Sequence, residues 1–265
     1  MVRDKAMRQR FNMALAGACL LGLMLSAVSA QAFRPSSRWL LDQVAARQLS
    51  RQSKPLKVVT EDMLFGRTGA PKGITAQGQV WIFPPDSIRR ETEHADKRET
   101  LVRNATKEMM LDSAKGSGGV VKSKRRPHLI WDFLSMGKPL ERKTAAVKLA
   151  EALEHHGVDV ERVSYARFDG RVNFLIGSKT WETGKSQLWI DKETFLVTRL
   201  VVYRKSADGS STKQDYRLMG WGSAEGGNWY PKVLEIWEND VLTHRAVTRQ
   251  VDRVVALDRA LFDIR

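Results

Sequence analysis

The strongest constraint on the fold comes from two segments with the two-residue periodicity of β-strands. The first is Gln187–Tyr203, and the second follows Gly227. Because side chains two residues apart on a strand share one face of a sheet, both segments give that face only aliphatic side chains. It carries no Ser, His, Cys or Asp that could do chemistry. We call this face the apolar wall, and its residues are Leu188, Ile190, Leu200, Val202, Leu234 and Ile236.

The first 32 residues have the pattern of a signal peptide. Four basic residues precede an apolar run, Met13–Val28, and Ser29–Ala32 gives a small-x-small cleavage pattern. The run is shorter than the roughly 20 residues that a membrane-spanning helix needs. We therefore expect cleavage before Phe33 and export to the periplasm.

Cysteine content and charge limit what the exported chain can be. The one cysteine, Cys19, lies inside the apolar run, so residues 33–265 can form neither disulfides nor thiolate-bound zinc. The leader contributes four basic residues and one acidic residue to a net charge of +14, which leaves +11 after cleavage. In an exported protein this charge favours anionic lipid head groups, lipopolysaccharide phosphates or acidic protein partners, and nucleic acid is not expected.

The order of the remaining elements predicts the architecture. Helical spacing begins at Ser36 and returns over residues 140–156, within a loop and helical insert at about residues 113–157. Strand-like segments joined by short turns occupy most of the rest, and Asp169-Gly170 is the strongest hairpin signal. A short closing helix is expected over residues 257–262. The first strand-like segments are Leu56–Phe65, Gln79–Phe83 and Ser87–Glu93. We expect one domain over residues 33–265. Its fold class is α+β and mainly antiparallel β, with an open curved sheet (an incomplete β-barrel) whose concave face is covered by helices.

Three local patterns resemble a known family. They are Val80–Arg89, Leu188–Thr194 and Gly227–Lys232, which read VWIFPPDSIR, LWIDKET and GNWYPK. With the exported leader, the N-terminal helix and the ending Leu261-Phe262, they resemble the bacterial lipoprotein carriers LolA and LolB and the wider group of outer-membrane lipoprotein-sorting proteins. The resemblance extends over nearly all of residues 33–265.

This resemblance implies a fold and a function. It implies an incomplete β-barrel whose hollow is closed by helices and binds acyl chains. It also implies that an arginine in an early strand holds this lid closed, and Arg89, Arg90 and Arg103 are the candidates. The expected activity is non-enzymatic: transfer of a lipid or an acylated lipoprotein towards the outer membrane, as a monomer. An inner-membrane transporter and an outer-membrane acceptor are the implied partners.

Two groups of residues are the candidate site. The hollow is expected to be lined by the apolar wall with Phe174 and Trp131, although every sheet also needs an aliphatic face to pack against its own helices. The second group is a basic run for which a solvated loop and a contact with head groups or partners are the alternatives: Lys122, Lys124, Arg125 and Arg126.

Other chemistry finds little support in the sequence. The adjacent pair His155-His156 ends a helix, where neighbouring side chains point about 100° apart and do not readily share a metal. No nucleophile elbow, P-loop or dinucleotide loop is found, so no enzyme, metal or cofactor is expected. The alternative function is a periplasmic sensor or adaptor, which uses the same fold to bind a protein partner and regulate an envelope process.

Overall fold

The computed structural model describes most of the chain after residue 34. The described segments all belong to one compact unit, Pro35–Arg265. They are residues 35–51, 54–66, 71–84, 87–94, 97–104, 107–114, 120–124, 142–205, 209–253 and 256–263. The predicted signal peptide and the predicted helical piece around Trp131 lie outside these residues.

Two α-helices are described, and local chemistry explains where the first begins and where the second ends. Helix α1 is Ser37–Arg51, and the Ser36 hydroxyl accepts a hydrogen bond from the Trp39 amide at 3.3 Å, as an N-cap does. Helix α2 is Arg142–His155, followed by Gly157 with a φ of 75°. Glycine adopts this left-handed conformation without steric cost, so it is a favourable helix stop.

Thirteen antiparallel strands of the described residues form one sheet. Their bounds are β1 Leu56–Phe65, β2 Pro71–Phe83, β3 Ser87–Glu93, β4 Lys97–Asn104, β5 Lys107–Ala114, β6 Val120–Lys124, β7 Val163–Phe168, β8 Arg171–Ile176, β9 Gln187–Asp191, β10 Val197–Lys205, β11 Ser211–Met219, β12 Val233–Glu238 and β13 Val241–Arg253. A 3-10 helix, Arg259–Phe262, follows β13.

The sheet consists of two meanders joined along one seam. Its order is β6-β5-β4-β3-β2-β1-β13-β12-β11-β10-β9-β8-β7, so every pair of neighbours is consecutive in the chain except β1 and β13. The two ends, β6 and β7, are not paired with each other among the described strands. The predicted fold class is therefore confirmed: the sheet is open and antiparallel, with helices on its concave face.

The predicted hairpin at Asp169-Gly170 is a two-residue connection between β7 and β8. Its two residues have φ values of 50° and 73°, and Phe168 pairs with Arg171 across it. Positive φ at both central positions gives the turn the same twist as its strands. The turn between β12 and β13 uses the same geometry with Asn239 and Asp240, at φ values of 50° and 65°.

Some predicted boundaries differ from the structure. Strand β2 begins at Pro71 rather than near Gln79, because its pairing with β1 continues past the part that the periodicity indicated. The residues Lys122 and Lys124, predicted in a loop, lie on strand β6, which pairs with β5. The closing helix is a single 3-10 turn whose Phe262 packs against Phe83, with ring centroids 6.0 Å apart.

The outer face of the sheet, opposite the helices, carries charged and aromatic side chains that pair across the strands. Asp215 is buried and accepts hydrogen bonds from Arg199 at 2.7 and 2.8 Å and from Arg217 at 3.0 and 3.1 Å. The guanidinium carbons of Arg199 and Arg217 lie 5.1 Å from the ring of Trp189 and 4.1 Å from that of Trp237. The charged side chains of the outer face thus find their hydrogen-bond and cation–π partners within the sheet itself.

The loop between β8 and β9 provides a matched test of backbone strain. Gly177 has a φ of 111°, and a Cβ there would lie 2.3 Å from the Ser186 carbonyl oxygen, whereas Gly184 has a φ of 70° with nothing within 4 Å of a Cβ. We expect Gly177→Ala to lower the free energy of unfolding by about 3 kcal/mol and Gly184→Ala by about 1 kcal/mol. Urea denaturation measures both, and equal losses would contradict this account of Gly177.

Candidate functional site

The apolar wall lies on the face of the sheet that the two helices cover. Leu188 and Ile190 of β9 and Leu200 of β10 are 0% exposed, and Val202 and Leu234 are also buried. Ile236 is half-buried at the margin of the same cluster. Phe174 of β8, predicted to line the hollow, is buried in it as well.

Strand register makes the wall continuous across the second meander. One row of paired residues runs Ile176, Leu188, Leu200, Tyr216, Ile236 and His244, from β8 to β13. A parallel row runs through Leu218, Leu234 and Ala246 to Asp62 on β1. The sequence predicted the aliphatic part of these rows, and the structure extends both of them to polar residues at the seam.

Apolar side chains of both helices close the wall. Leu40, Leu41, Val44 and Ala45 of α1 and Ala145, Ala146, Leu149 and Leu153 of α2 belong to the same buried cluster as the wall. The helices are joined to each other by an ion pair in which the Arg142 Nε donates to an Asp42 carboxylate oxygen at 2.8 Å. In this conformation the helices therefore occupy the space in front of the wall.

Aromatic rings connect helix α1 to the wall at the end of the sheet near β7. The half-exposed Trp39 ring contacts Phe195 edge-on at 5.5 Å, and Phe195 stacks on Phe174 at 6.2 Å between centroids. Phe174 in turn contacts Tyr165 of β7 at 5.3 Å. These contacts hold one edge of helix α1 against the sheet.

A buried charged cluster lies on the same face at the seam. Its members are Asp62 of β1, Arg90 of β3 and His244 of β13, and we call it the seam cluster. The Arg90 guanidinium donates to the Asp62 Oδ2 at 2.7 Å and lies 2.9 Å from the His244 Nε2. Asp62 is 0% exposed, so the carboxylate depends on these neighbours for its charge stabilisation.

The charges of the seam cluster follow from its geometry. Burial raises the pKa of Asp62, but Arg90 and His244 lower it by more, so the pKa of this carboxyl falls below its usual value. Burial and then Arg90 lower the pKa of His244, although Asp62 opposes them. At neutral pH the cluster therefore holds one anion, one cation and a neutral imidazole, with no net charge.

The fold allows this cluster because β2 has a glycine beside it. Gly78 pairs with Thr60 of β1, and a Cβ on Gly78 would lie 2.2 Å from the Thr60 Oγ1 and 2.6 Å from the Asp62 Oδ2. Any larger residue would push both polar groups away. Thr92 of β3 completes this side, with its hydroxyl 3.5 Å from the Asp62 Oδ2.

The three candidate arginines of the early strands have different surroundings. Arg89 points to the outer face and donates to the Leu261 carbonyl of the 3-10 helix at 3.0 Å. Arg103 of β4 is buried, in register with Ile88 and Glu108 on the helix-covered face. Arg90 belongs to the seam cluster, so its described hydrogen bonds are made within the sheet.

Some predicted site residues cannot be placed. Trp131, Arg125 and Arg126 lie outside the described residues. For Lys122 and Lys124 only the backbone of strand β6 is described. Their predicted contacts with head groups or partners remain predictions.

Sequence reasoning missed the seam cluster. Of its three members, only Arg90 is among the candidate residues that the sequence indicated. A signal was present in β1, where the alternate residues Val58, Thr60 and Asp62 change from apolar to polar on one face. Its partners come from strands far away in the chain, which local periodicity cannot identify.

Two further features concern only the described part of the chain. No group of three or more His, Cys, Asp or Glu residues there is placed to hold a metal ion. No helix there is long and apolar enough to cross a membrane.

Comparison with known proteins shows the fold. No family model matches the sequence, and no curated protein matches it. Among solved structures, a domain classed with the outer membrane lipoprotein-sorting proteins, from Vibrio parahaemolyticus, matches with a TM-score of 0.51 at 11% identity, over 84% of this chain and 95% of that one. A LolA superfamily protein from Nitrosomonas europaea matches with a TM-score of 0.50 at 10% identity, over 87% and 99% of the two chains. The chain therefore has a LolA-like fold, as its sequence resemblance predicted.

The seam cluster should contribute to stability in a pH-dependent way. We expect Asp62→Asn to lower the free energy of unfolding by about 3 kcal/mol at pH 7, because Arg90 loses its buried partner. The lowered pKa of Asp62 means that this contribution is present above its unfolded value of 3.8 and is lost as the pH falls below it. The difference between wild type and variant should therefore narrow below pH 4 in urea titrations.

The neighbouring residue supplies the control for this measurement. Glu61 accepts a hydrogen bond from Arg249 at 2.9 Å, but both side chains are exposed. We expect Glu61→Gln to cost at most about 1 kcal/mol. If the two substitutions lowered the free energy of unfolding by similar amounts at pH 7, the Asp62–Arg90 ion pair would contribute no more than the exposed Glu61–Arg249 pair.

Proposed function

We propose that this protein is a non-enzymatic periplasmic carrier that binds lipid or the acyl chains of a lipoprotein and transfers them towards the outer membrane. The observation that supports it is the continuous apolar wall of a LolA-like fold, covered by two helices rather than by a second sheet. Burial of acyl chains against such a wall contributes about 0.8 kcal/mol per CH₂ without requiring directed hydrogen bonds.

The closed conformation defines a step that this function requires. Five of the six wall residues are buried in one cluster with side chains of α1 and α2, so an acyl chain can reach them only when the helices move. The helices carry mostly small and aliphatic side chains on their covered face, and an acyl chain can replace these contacts with others of the same chemistry. In the proposed carrier, α1 and α2 therefore move away from the apolar wall, and the acyl chains of the cargo take their place.

The route of export supports the same proposal. The expected signal peptide directs residues 33–265 to the periplasm, where acylated proteins and lipids must cross an aqueous space between two membranes. The basic run that includes Lys122 and Lys124 is proposed to meet anionic head groups or an acidic partner at a donor or acceptor membrane.

A sensor or adaptor is the second candidate, and the closed wall favours it. A carrier needs a hollow that cargo can enter, whereas an adaptor can keep the wall packed with its own helices. The 0% exposure of Leu188, Ile190 and Leu200 is the state that an adaptor would keep throughout its function. The two functions therefore differ in whether the helices open.

The carrier function predicts lipid in the purified protein. We expect lipid extracted from the exported wild-type protein to be detected by mass spectrometry, and a fluorescent fatty-acyl probe to bind it. Ile236→Arg should abolish both, because a charge at the half-buried margin of the wall opposes apolar cargo. Leu200→Arg is the more severe version of the same change, at the centre of the wall.

Val233→Arg is the matched control. Val233 is also half-buried on β12, but it points to the outer face, so its replacement should leave lipid binding intact. Circular dichroism checks that each variant is folded. Absence of lipid and of probe binding in the wild type would contradict the carrier function, and retention of partner binding by Ile236→Arg would then support an adaptor.

Helix opening predicts a pattern of amide hydrogen exchange. We expect amides of α1 and α2 to exchange faster than those of β9 and β10, because the helices open without unfolding the sheet. An acyl probe should raise exchange in the helices further while β9 and β10 stay protected. Equal protection of helices and wall strands, unchanged by the probe, would indicate that the helices do not open.

A further inference from the structure

The helix-covered face contains polar atoms that its own residues leave unsatisfied. Within the described part of the chain, the Asp62 Oδ1, the Thr60 Oγ1 and both ring nitrogens of His94 are buried and have no hydrogen-bond partner. Thr60 is 3% exposed and His94 is 3% exposed, so bulk solvent does not reach them either. Buried polar groups in folded proteins are almost always hydrogen-bonded. The His94 Nε2 lies 3.9 Å from the Glu99 Oε1. The Thr60 Oγ1 and the Asp62 Oδ1, two residues apart on β1, are therefore the pair that points to a polar ligand.

Two of the side chains that carry these atoms, Thr60 and Asp62, lie close together. Thr60 and Asp62 are two residues apart on β1, so their side chains share the helix-covered face. Both lean over Gly78, because the Thr60 Oγ1 and the Asp62 Oδ2 each lie within 2.6 Å of the point where a Cβ on Gly78 would be. The Asp62 Oδ2 is bonded to Arg90, which leaves the Oδ1 as the free acceptor.

The chemistry of these atoms limits what can bind. An ionised carboxylate only accepts hydrogen bonds, whereas a threonine hydroxyl can both donate and accept. The Asp62 Oδ1 therefore requires a donor from the ligand, whereas the Thr60 hydroxyl can bind either a donor or an acceptor, so a hydroxyl or an amide suits both residues. A carboxylate has no donor, and an ester has only acceptors.

The charge of the site points to the same class of ligand. The Arg90 guanidinium is already engaged by Asp62 and His244, at 2.7 and 2.9 Å. The seam cluster is neutral as a whole, so it offers neither an unpaired cation to a phosphate or carboxylate nor an unpaired anion to an amine. A neutral head group fits it best.

The polar site continues into the apolar wall, so a ligand bound there would also carry an apolar tail. In register, Asp62 pairs with Ala246 and then Leu234, and His244 pairs with Ile236. From β1 to β9 the face crosses five strand spacings, about 24 Å. Over this distance the side chains of the helix-covered face change from polar ones at Asp62 to aliphatic ones on β9. A ligand that fills both parts is an amphiphile with a neutral polar head and an apolar tail.

We propose that Thr60 and Asp62, held by Arg90 and His244, bind the hydroxyl or amide of a neutral acylated head group, with the acyl chain along the apolar wall. This inference rests on the proposed carrier function and adds the chemical class of the head group. The Thr60 hydroxyl has no hydrogen-bond partner among the described residues, so it lowers the free energy of unfolding, and a bound head group would supply that partner.

Three lipids with the same acyl chain test the head group. They are 1-palmitoylglycerol, which has hydroxyl donors, methyl palmitate, which has none, and palmitate, which is anionic. We expect the exported wild-type protein to bind 1-palmitoylglycerol about 10-fold or more tightly than the other two, in competition with a fluorescent acyl probe. Equal affinities for the three would overturn the inference while leaving the carrier function intact.

Thr60→Val separates recognition from structure. It removes the unpaired hydroxyl and keeps the shape, so the urea midpoint should stay equal to that of the wild type or rise. The preference for 1-palmitoylglycerol over methyl palmitate should fall to near one. A lower urea midpoint together with an unchanged preference would show that the Thr60 hydroxyl is satisfied by water and serves only the fold.

Thr248→Val is the matched control from the adjacent strand. Thr248 pairs with Thr60 across the seam and is 1% exposed, but its hydroxyl donates to the Pro231 carbonyl at 2.7 Å. Its replacement should lower the urea midpoint and leave the head-group preference as in the wild type. If the wild type binds none of the three lipids, the carrier function fails and the inference fails with it.

Discussion

Apolar packing between one face of an open sheet and two helices is the interaction on which the rest of this structure depends. An open sheet without a second sheet must cover its aliphatic face by other means. Here the cover is α1 and α2, which contribute eight buried apolar residues to the cluster that contains the wall. No disulfide can reinforce this contact, because residues 33–265 contain no cysteine. The fold and the proposed binding surface are therefore the same surface.

The two faces of the sheet are stabilised by different interactions: ion pairs and cation–π contacts on the outer face, and apolar packing on the helix-covered face. On the outer face, Asp215 pairs with Arg199 and Arg217, which in turn lie against tryptophan rings. These contacts are made within the sheet, so the outer face does not need the helices. The sheet can thus remain ordered while its other face exchanges one apolar cover for another, which is what a carrier would require.

Much of the fold could be predicted from the sequence because its signals are local. The bounds of β1 and β3, the two-residue turn at Asp169-Gly170 and the shared face of Leu188, Leu200 and Leu234 all follow from periodicity and turn chemistry. The seam cluster could not be predicted in this way, because Arg90 and His244 are 154 residues apart and meet only when β1 pairs with β13. The closed state of the wall was also beyond local reasoning, since an aliphatic face looks the same whether helices or cargo cover it.

The seam between β1 and β13 has a consequence for how the chain folds. Every other pairing of described strands joins neighbours in the chain, so hairpins of both meanders can form early from nearby residues. Strand β1, however, keeps one edge unpaired until β13, the last described strand in the chain, is available to pair with it. During that interval the first meander presents an open strand edge, a known template for aggregation. The interval before β13 pairs with β1 is thus expected to be the stage of folding at which the chain is most prone to aggregate.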